Sequence, residues 1–179
     1  MKKLILAVAV VFCFSVSVMS AASDDDTVTL RATLRGDNET PPTNSQATAD
    51  FKATQNADGT FSFTLTFSGL SANLAASHLH FAPRHVNGGV MIFICGGDSQ
   101  PACPAATSGT ITGTFGAANV VGPTAQGIAA GDFASALEAI GDGLSYINVH
   151  TATFPAGEAR GQVRLRRGDG DRDDRRDRD

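Results

Sequence analysis

The stretch SYINVHTATFPAGEARGQV, residues 145–163, decides the fold. Its first half alternates, with Ile147 and Val149 on one side of an extended chain and polar side chains on the other. Because successive residues of a strand face opposite ways, this alternation predicts a half-buried strand. A Phe-Pro-Ala-Gly turn follows, and beyond it Glu158 and Arg160 stand two residues apart. We therefore expect a further strand after the turn, with these two charged side chains on one face.

A second stretch, SHLHFAPRHVNGGV at residues 77–90, carries histidines at strand spacing. His78 and His80 are two residues apart and share a face if this stretch is extended. His150 ends the alternating run of the first stretch, on its polar side. If the two strands are neighbours, the three imidazoles converge on the outer face of the sheet or at its rim.

Three imidazoles at that spacing indicate a candidate metal centre for copper or zinc. Neutral imidazole is the commonest protein ligand for these ions, and three histidines leave an open position for water or another ligand. The alternative is structural: the histidines hydrogen-bond to backbone carbonyls, to Asn148 or to Glu158, and fix loop positions. Tyr146 and Asn148 share the polar face with the third histidine and belong to the supporting residues in either interpretation.

The charged pair after the turn is interpreted as structural support. A buried carboxylate or guanidinium is costly to leave without its partner. We expect Arg160 to tie the last strand to a loop such as GDNETPP, residues 36–42, where Glu39 offers an acceptor. We expect Glu158 to orient His150 from behind, as carboxylates do around metal-binding histidines.

The rest of the chain has the pattern of an antiparallel β-sandwich. Residues 27–35 and 60–67 alternate apolar and polar side chains, and residues 88–95 form a continuous apolar run. One helix is predicted within residues 127–143, with Asp132 at its N-terminus. Seven to nine strands, frequent turns and no strand–helix alternation predict an all-β antiparallel sandwich with one short helix.

The two ends of the chain differ from this pattern. Residues 1–22 combine Lys2 and Lys3, an apolar stretch and small residues, which predicts a removed secretory signal peptide. Its removal lowers the formal charge from −4 to −6. Residues 168–179 contain only Gly, Asp and Arg and predict a disordered tail. The folded domain is expected at residues 27–167, with no membrane span after signal removal.

Two cysteines follow the predicted signal peptide. Cys95 and Cys103 enclose a turn-rich segment, and an even pair in an exported protein predicts a disulfide. A metal or redox site of this spacing lacks a second cysteine pair and is the weaker interpretation.

Several function classes lose support on composition. A mildly acidic chain without tryptophan or a basic stripe is a poor candidate for nucleic-acid binding. No nucleophile elbow, phosphate loop or HExxH motif occurs, so we expect no enzyme.

Several pieces carry a family resemblance: ETPPTNSQATADF (39–51), HLHFAP (78–83), GGVMIFIC (88–95) and YINVHTATFPAGEARGQV (146–163). In this order and spacing they resemble the CHRD (chordin) domain of bacterial secreted proteins and of chordin, over residues 27–166. The resemblance implies an extracellular, immunoglobulin-like Greek-key sandwich with no established catalytic activity.

These observations lead to two hypotheses. The first is a secreted or periplasmic, non-enzymatic module that binds an unidentified extracellular protein or ligand, or has a structural role. The second is a small histidine-based copper or zinc protein with a redox or sequestration role.

Overall fold

The computed structural model describes residues 27–97 and 100–168, which form nine strands and one α-helix. The strands are β1 (Thr29–Arg35), β2 (Thr48–Gln55), β3 (Phe61–Ser68), β4 (Leu74–Phe81), β5 (Gly89–Cys95), β6 (Gly109–Phe115), β7 (Ser145–Thr151), β8 (Ala159–Gln162) and β9 (Arg164–Arg166), and the helix is α1 (Phe133–Gly141). The predicted signal peptide at 1–22, and all of the predicted tail beyond its first residue, lie outside the described residues.

All strand pairs are antiparallel and belong to one continuous sheet. The order is β5-β4-β7-β8-β1-β2-β3-β6, and β9 also pairs with β1. The predicted all-β antiparallel sandwich with one helix is confirmed, although hydrogen bonding runs through all nine strands instead of dividing them into two sheets. This order makes β4, β7 and β8 neighbours, so the two histidine-bearing strands lie side by side.

The apolar side of the sheet encloses the core. Burial alternates along β3, where Phe61, Phe63, Leu65 and Phe67 are buried and the residues between them are exposed. Burying a Leu or Phe side chain contributes roughly 1.5–3 kcal/mol each, so this strand is a major source of stability. Aromatic contacts extend from it, since the ring of Phe61 stacks on that of Phe115 at 5.5 Å.

The helix covers one end of the core. Asp132 is its N-cap, as predicted, and accepts a 3.1 Å hydrogen bond from the backbone N–H of Ser135. The helix buries Ala136, Ala139 and Ile140. Within the described ranges, no helix is long and apolar enough to span a bilayer.

The predicted disulfide is confirmed. Cys95, at the end of β5, is bonded to Cys103, eight residues further along the chain. The bond closes a short loop beside β4 and so fixes the end of the edge strand β5.

Candidate metal centre

Three histidines from two neighbouring strands converge. β4 supplies His78 and His80, and β7 supplies His150. One ring nitrogen from each lies within 4.8 Å of the others, and Nδ1 of His78 is 3.1 Å from Nε2 of His150. The fourth histidine, His85, lies exposed in the loop after β4 and is not part of the group.

The outer sheet face that carries these histidines is largely covered by loops, which strand alternation does not predict. Tyr146, Asn148 and His80 are only 3%, 2% and 8% exposed. The reason is that loops fold over the polar side of β4, β7 and β8 and bond to it or to one another. These loops are residues 36–44, 82–88 and 152–158.

Two backbone carbonyls fix the protonation of two of the rings. Nδ1 of His80 lies 3.0 Å from the carbonyl oxygen of Gly88, and Nδ1 of His150 lies 3.1 Å from that of Pro155. A carbonyl oxygen only accepts, so each Nδ1 carries the proton and donates it. Each Nε2 therefore presents its lone pair to the centre of the cluster. Histidines that bind metal typically have this arrangement, with the second nitrogen held by a carbonyl or carboxylate.

Burial keeps the imidazoles neutral. Burial, together with smaller effects of the neighbouring His150 and His80, lowers the pKa of His78 to about 3. Burial also lowers the pKa of His80 to about 4, against the opposing effect of its bond to Gly88. The pKa of His150 is lowered for the same reason. All three rings are thus neutral at physiological pH, which is the form that binds a metal ion.

Asn148 lies between two of the imidazoles. Its Oδ1 is 3.1 Å from Nε2 of His80 and 2.9 Å from Nε2 of His150. Because both nitrogens present lone pairs, the amide oxygen and the two nitrogens are three acceptors directed at one another. A cation among them, or a turned amide, removes this repulsion, and the lone pair of His150 Nε2 can also accept from Nδ1–H of His78, 3.1 Å away.

A buried carboxylate lies behind the amide. Glu39 is 5% exposed and receives a hydrogen bond from the Asn148 side chain, and its Oε1 has no hydrogen-bond partner within the described residues. Burial raises its pKa to about 7, although nearby Arg160, the Thr40 backbone and Asn148 act in the opposite direction. Sequence reasoning missed this role for Glu39. The sequence had named Glu39 only as an acceptor for Arg160, within an ETPP segment that belongs to the family resemblance.

Tyr146 is held between a cation and an imidazole. The guanidinium carbon of Arg160 lies 3.3 Å from the Tyr146 ring centroid, and the ring of His80 stacks parallel to it at 4.6 Å. Because β7 lies between β4 and β8, the tyrosine separates the other two side chains. This packing holds the plane of the His80 ring.

Arg160 binds a loop other than the one predicted. Its guanidinium donates to three acceptors on the loop after β4: the side-chain oxygen of Asn87 and the carbonyls of Pro83 and Val86. The loop at 36–42 is reached only indirectly, since Asn87 donates to the Thr40 carbonyl. These bonds hold residues 83–87, and the structural role of Arg160 stays a prediction.

The position of Glu158 corrects another expectation. The hydrogen bonds of its carboxylate run to Ser45, Ser71 and Thr151, not to His150. Thr151 faces the side of β7 opposite to its neighbour His150, because strand side chains alternate. Glu158 lies just before β8, and its carboxylate shares no hydrogen-bond partner with the Arg160 guanidinium. It joins three loop and strand ends and does not orient the cluster.

Comparison with known families agrees with this architecture. The model of the CHRD domain matches residues 30–163, well over half of the chain. The chain belongs to the CHRD domain family. The match confirms the resemblance seen in the sequence and includes every residue of the histidine cluster. No curated protein and no solved structure matches this CHRD chain.

Proposed function

We propose that this CHRD chain is an exported, non-enzymatic module that binds one copper or zinc ion through His78, His80 and His150. The disulfide between Cys95 and Cys103 supports an oxidising compartment such as the periplasm or the cell exterior. The proposed role is to bind the metal ion, either to sequester it or to use it in a redox role, and the proposal includes no reaction on a substrate.

One observation carries the proposal: the lone pairs of His80 and His150 are directed by backbone carbonyls toward the same point as Oδ1 of Asn148. A divalent ion at that point would convert a repulsive group of acceptors into a ligand set. Zinc and copper both bind imidazole nitrogen at about 2.0–2.1 Å, and tetrahedral or related geometry suits three histidines.

Solvent can reach the histidine cluster from one side. His78 and His150 are partly exposed, whereas His80 is buried. An ion bound to all three would therefore keep one side open to solvent or to a fourth ligand. The edge of the His78 ring is packed against Phe93 at 4.6 Å between centroids, which limits how far that imidazole moves.

The competing arrangement is a closed hydrogen-bond network. Rotation of the Asn148 amide by 180° would direct its NH₂ group at both imidazoles and its oxygen at a protonated Glu39. In that case the histidines are structural, and the cluster needs no ion.

Metal analysis of the full-length chain, exported without a polyhistidine tag, distinguishes the two. We expect one equivalent of copper or zinc by mass spectrometry and loss of at least tenfold in affinity for His80→Ala and His150→Ala. His85→Ala is the matched control, because it removes a histidine from an exposed loop outside the cluster. Absence of stoichiometric metal, or equal affinity in all three variants, contradicts the proposal and leaves the structural network.

A further inference from the structure

A groove further along the same outer face of the sheet, over β1, β2 and β9, is lined by basic side chains. Arg31 on β1 pairs directly with Lys52 on β2 and with Arg164 on β9, so three cations lie in a row across three strands. Arg84, from the loop after β4, lines the same groove, which has a volume of about 630 Å³. No histidine of the metal centre is among its lining residues.

The concentration of positive charge here is unusual for this chain. The described ranges contain eight lysines and arginines, and four of them line this groove, although the whole chain has a formal charge of −4. The expectation of no basic stripe, drawn from the sequence, is thereby corrected: the four residues are far apart in sequence and the fold brings them together.

Like charges directly opposite one another on neighbouring strands destabilise a sheet. Within residues 27–97 and 100–168, none of the four cations forms a salt bridge. The groove has one carboxylate, Asp50, which accepts a 2.9 Å hydrogen bond from the hydroxyl of Thr33. The positive row is therefore uncompensated by the described part of the protein, as expected of a surface that receives an anionic partner.

We propose that this groove binds an extended anionic polysaccharide that carries sulfate or carboxylate groups. Arginine and lysine spaced across neighbouring strands match a linear ligand with repeated negative charges. The groove also presents Asn38 and Thr64, polar groups suited to sugar hydroxyls. The site is independent of the metal centre.

The lining of the groove, within the described residues, has no exposed aromatic or large apolar side chain, which favours a polysaccharide over other polyanions. Single-stranded nucleic acid binds by stacking its bases on aromatic side chains, and the one aromatic residue at the groove, Phe51, is 2% exposed. A membrane surface requires apolar side chains that insert, and Val86 is the one large hydrophobic residue exposed in the described part of the chain.

Heparin is the probe for the test, with neutral dextran and single-stranded DNA as comparison ligands. We expect the full-length chain to bind heparin in low salt and to release it as the salt concentration rises. It should not bind dextran, which carries no charge. The double variant Arg31→Ala/Lys52→Ala should weaken heparin binding about tenfold or more. Arg35→Ala is the matched control, since it removes one exposed cation from the same strand outside the groove.

Folding is monitored in parallel. Because the double variant removes opposed like charges, its melting temperature should equal or exceed that of the wild type. Reduced binding with unchanged stability supports the groove as the site.

Four results overturn the proposal. The first is no heparin binding in low salt, and the second is equal binding by the double variant and Arg35→Ala. The third is tighter binding of DNA than of heparin. The fourth comes from a full-length variant in which the tail arginines are replaced with serine, at Arg172, Arg175, Arg176 and Arg178. Loss of heparin binding in this variant alone assigns the interaction to the tail and not to the groove.

Discussion

Oδ1 of Asn148 lies 3.1 Å from Nε2 of His80, in the centre of a face covered by three loops. The same amide contacts Glu39 on its other side. The orientation of one side-chain amide therefore links a buried carboxylate to the imidazoles, and it determines whether the cluster is a set of metal ligands or a closed hydrogen-bond network.

Glu39→Gln should change the pH dependence of stability. The folded-state pKa of Glu39, about 7, is above its ordinary value of 4.5, so its contribution is fully present below about pH 4.5 and is lost as pH rises through 7. The loss in the wild type amounts to about 3 kcal/mol in the free energy of unfolding. We expect Glu39→Gln to be more stable than the wild type at pH 8 by an amount that vanishes near pH 4.5.

Urea denaturation at several pH values measures this difference. Glu138→Gln on the exposed side of the helix is the control and should follow the wild-type curve. A constant offset between Glu39→Gln and the wild type across the pH range would mean that the carboxylate does not titrate as described.

Acid should destabilise the fold through the histidines. Burial lowers the pKa of His78 to about 3 and that of His80 to about 4, so the unfolded chain takes up protons below about pH 6.5 while the folded chain does not. The free energy of unfolding should then fall by about 1.4 kcal/mol per pH unit for each of these histidines between pH 6 and pH 4.5. In the presence of a chelator, His78→Phe should lower the slope of this profile by about 1.4 kcal/mol per pH unit, the share of one histidine. The control His85→Ala, in an exposed loop, should keep the wild-type slope. An unaltered profile would contradict the burial argument.

Arg160→Ala should strongly destabilise the protein. Its side chain is 2% exposed, donates to three acceptors on the loop at 83–87 and packs on Tyr146. Removing one partner of a buried charged network costs roughly 3–5 kcal/mol. Arg160→Lys should recover only part of this, because an ammonium group cannot form the same fork of hydrogen bonds. Arg166→Ala, which is exposed, is the control; a loss in Arg160→Ala no larger than in this variant would refute a structural role.

Gly157→Ala should be far more damaging than a comparable change elsewhere. Gly157 has φ of +133°, and an added Cβ would collide with the Glu39 carboxylate and approach Asn148. Gly59→Ala is the matched control, since Gly59 also has positive φ, at +85°, but an added Cβ meets nothing within 4 Å. Backbone strain alone accounts for about 1–2 kcal/mol in the control. The melting temperature of Gly157→Ala should be lower than that of Gly59→Ala, and equal values would show that the cover over the polar face yields easily.

The sequence predicted what depends on alternation and short spacing. The strand at Tyr146–His150, the buried side of β3 and the Asp132 cap all follow from local patterns. The meeting of His78, His80 and His150 also followed, because two extended segments with polar and apolar sides place the imidazoles on one face.

What the sequence did not predict depends on how loops fold over the sheet. The burial of Glu39, the attachment of Arg160 to residues 83–87 and the orientation of Glu158 are contacts between segments far apart in the chain. The row formed by Arg31 and its two neighbours arises from strand order, which no local pattern contains. Alternation gives the face of a side chain but not what covers that face.

The most direct measurement of the central claim is anomalous diffraction from crystals of the full-length chain grown with zinc or copper. The account predicts one ion about 2.0–2.1 Å from Nε2 of both His80 and His150, with His78 as the third ligand. Crystals with no ion at this position, or with the Asn148 amide donating to both imidazoles, would contradict it.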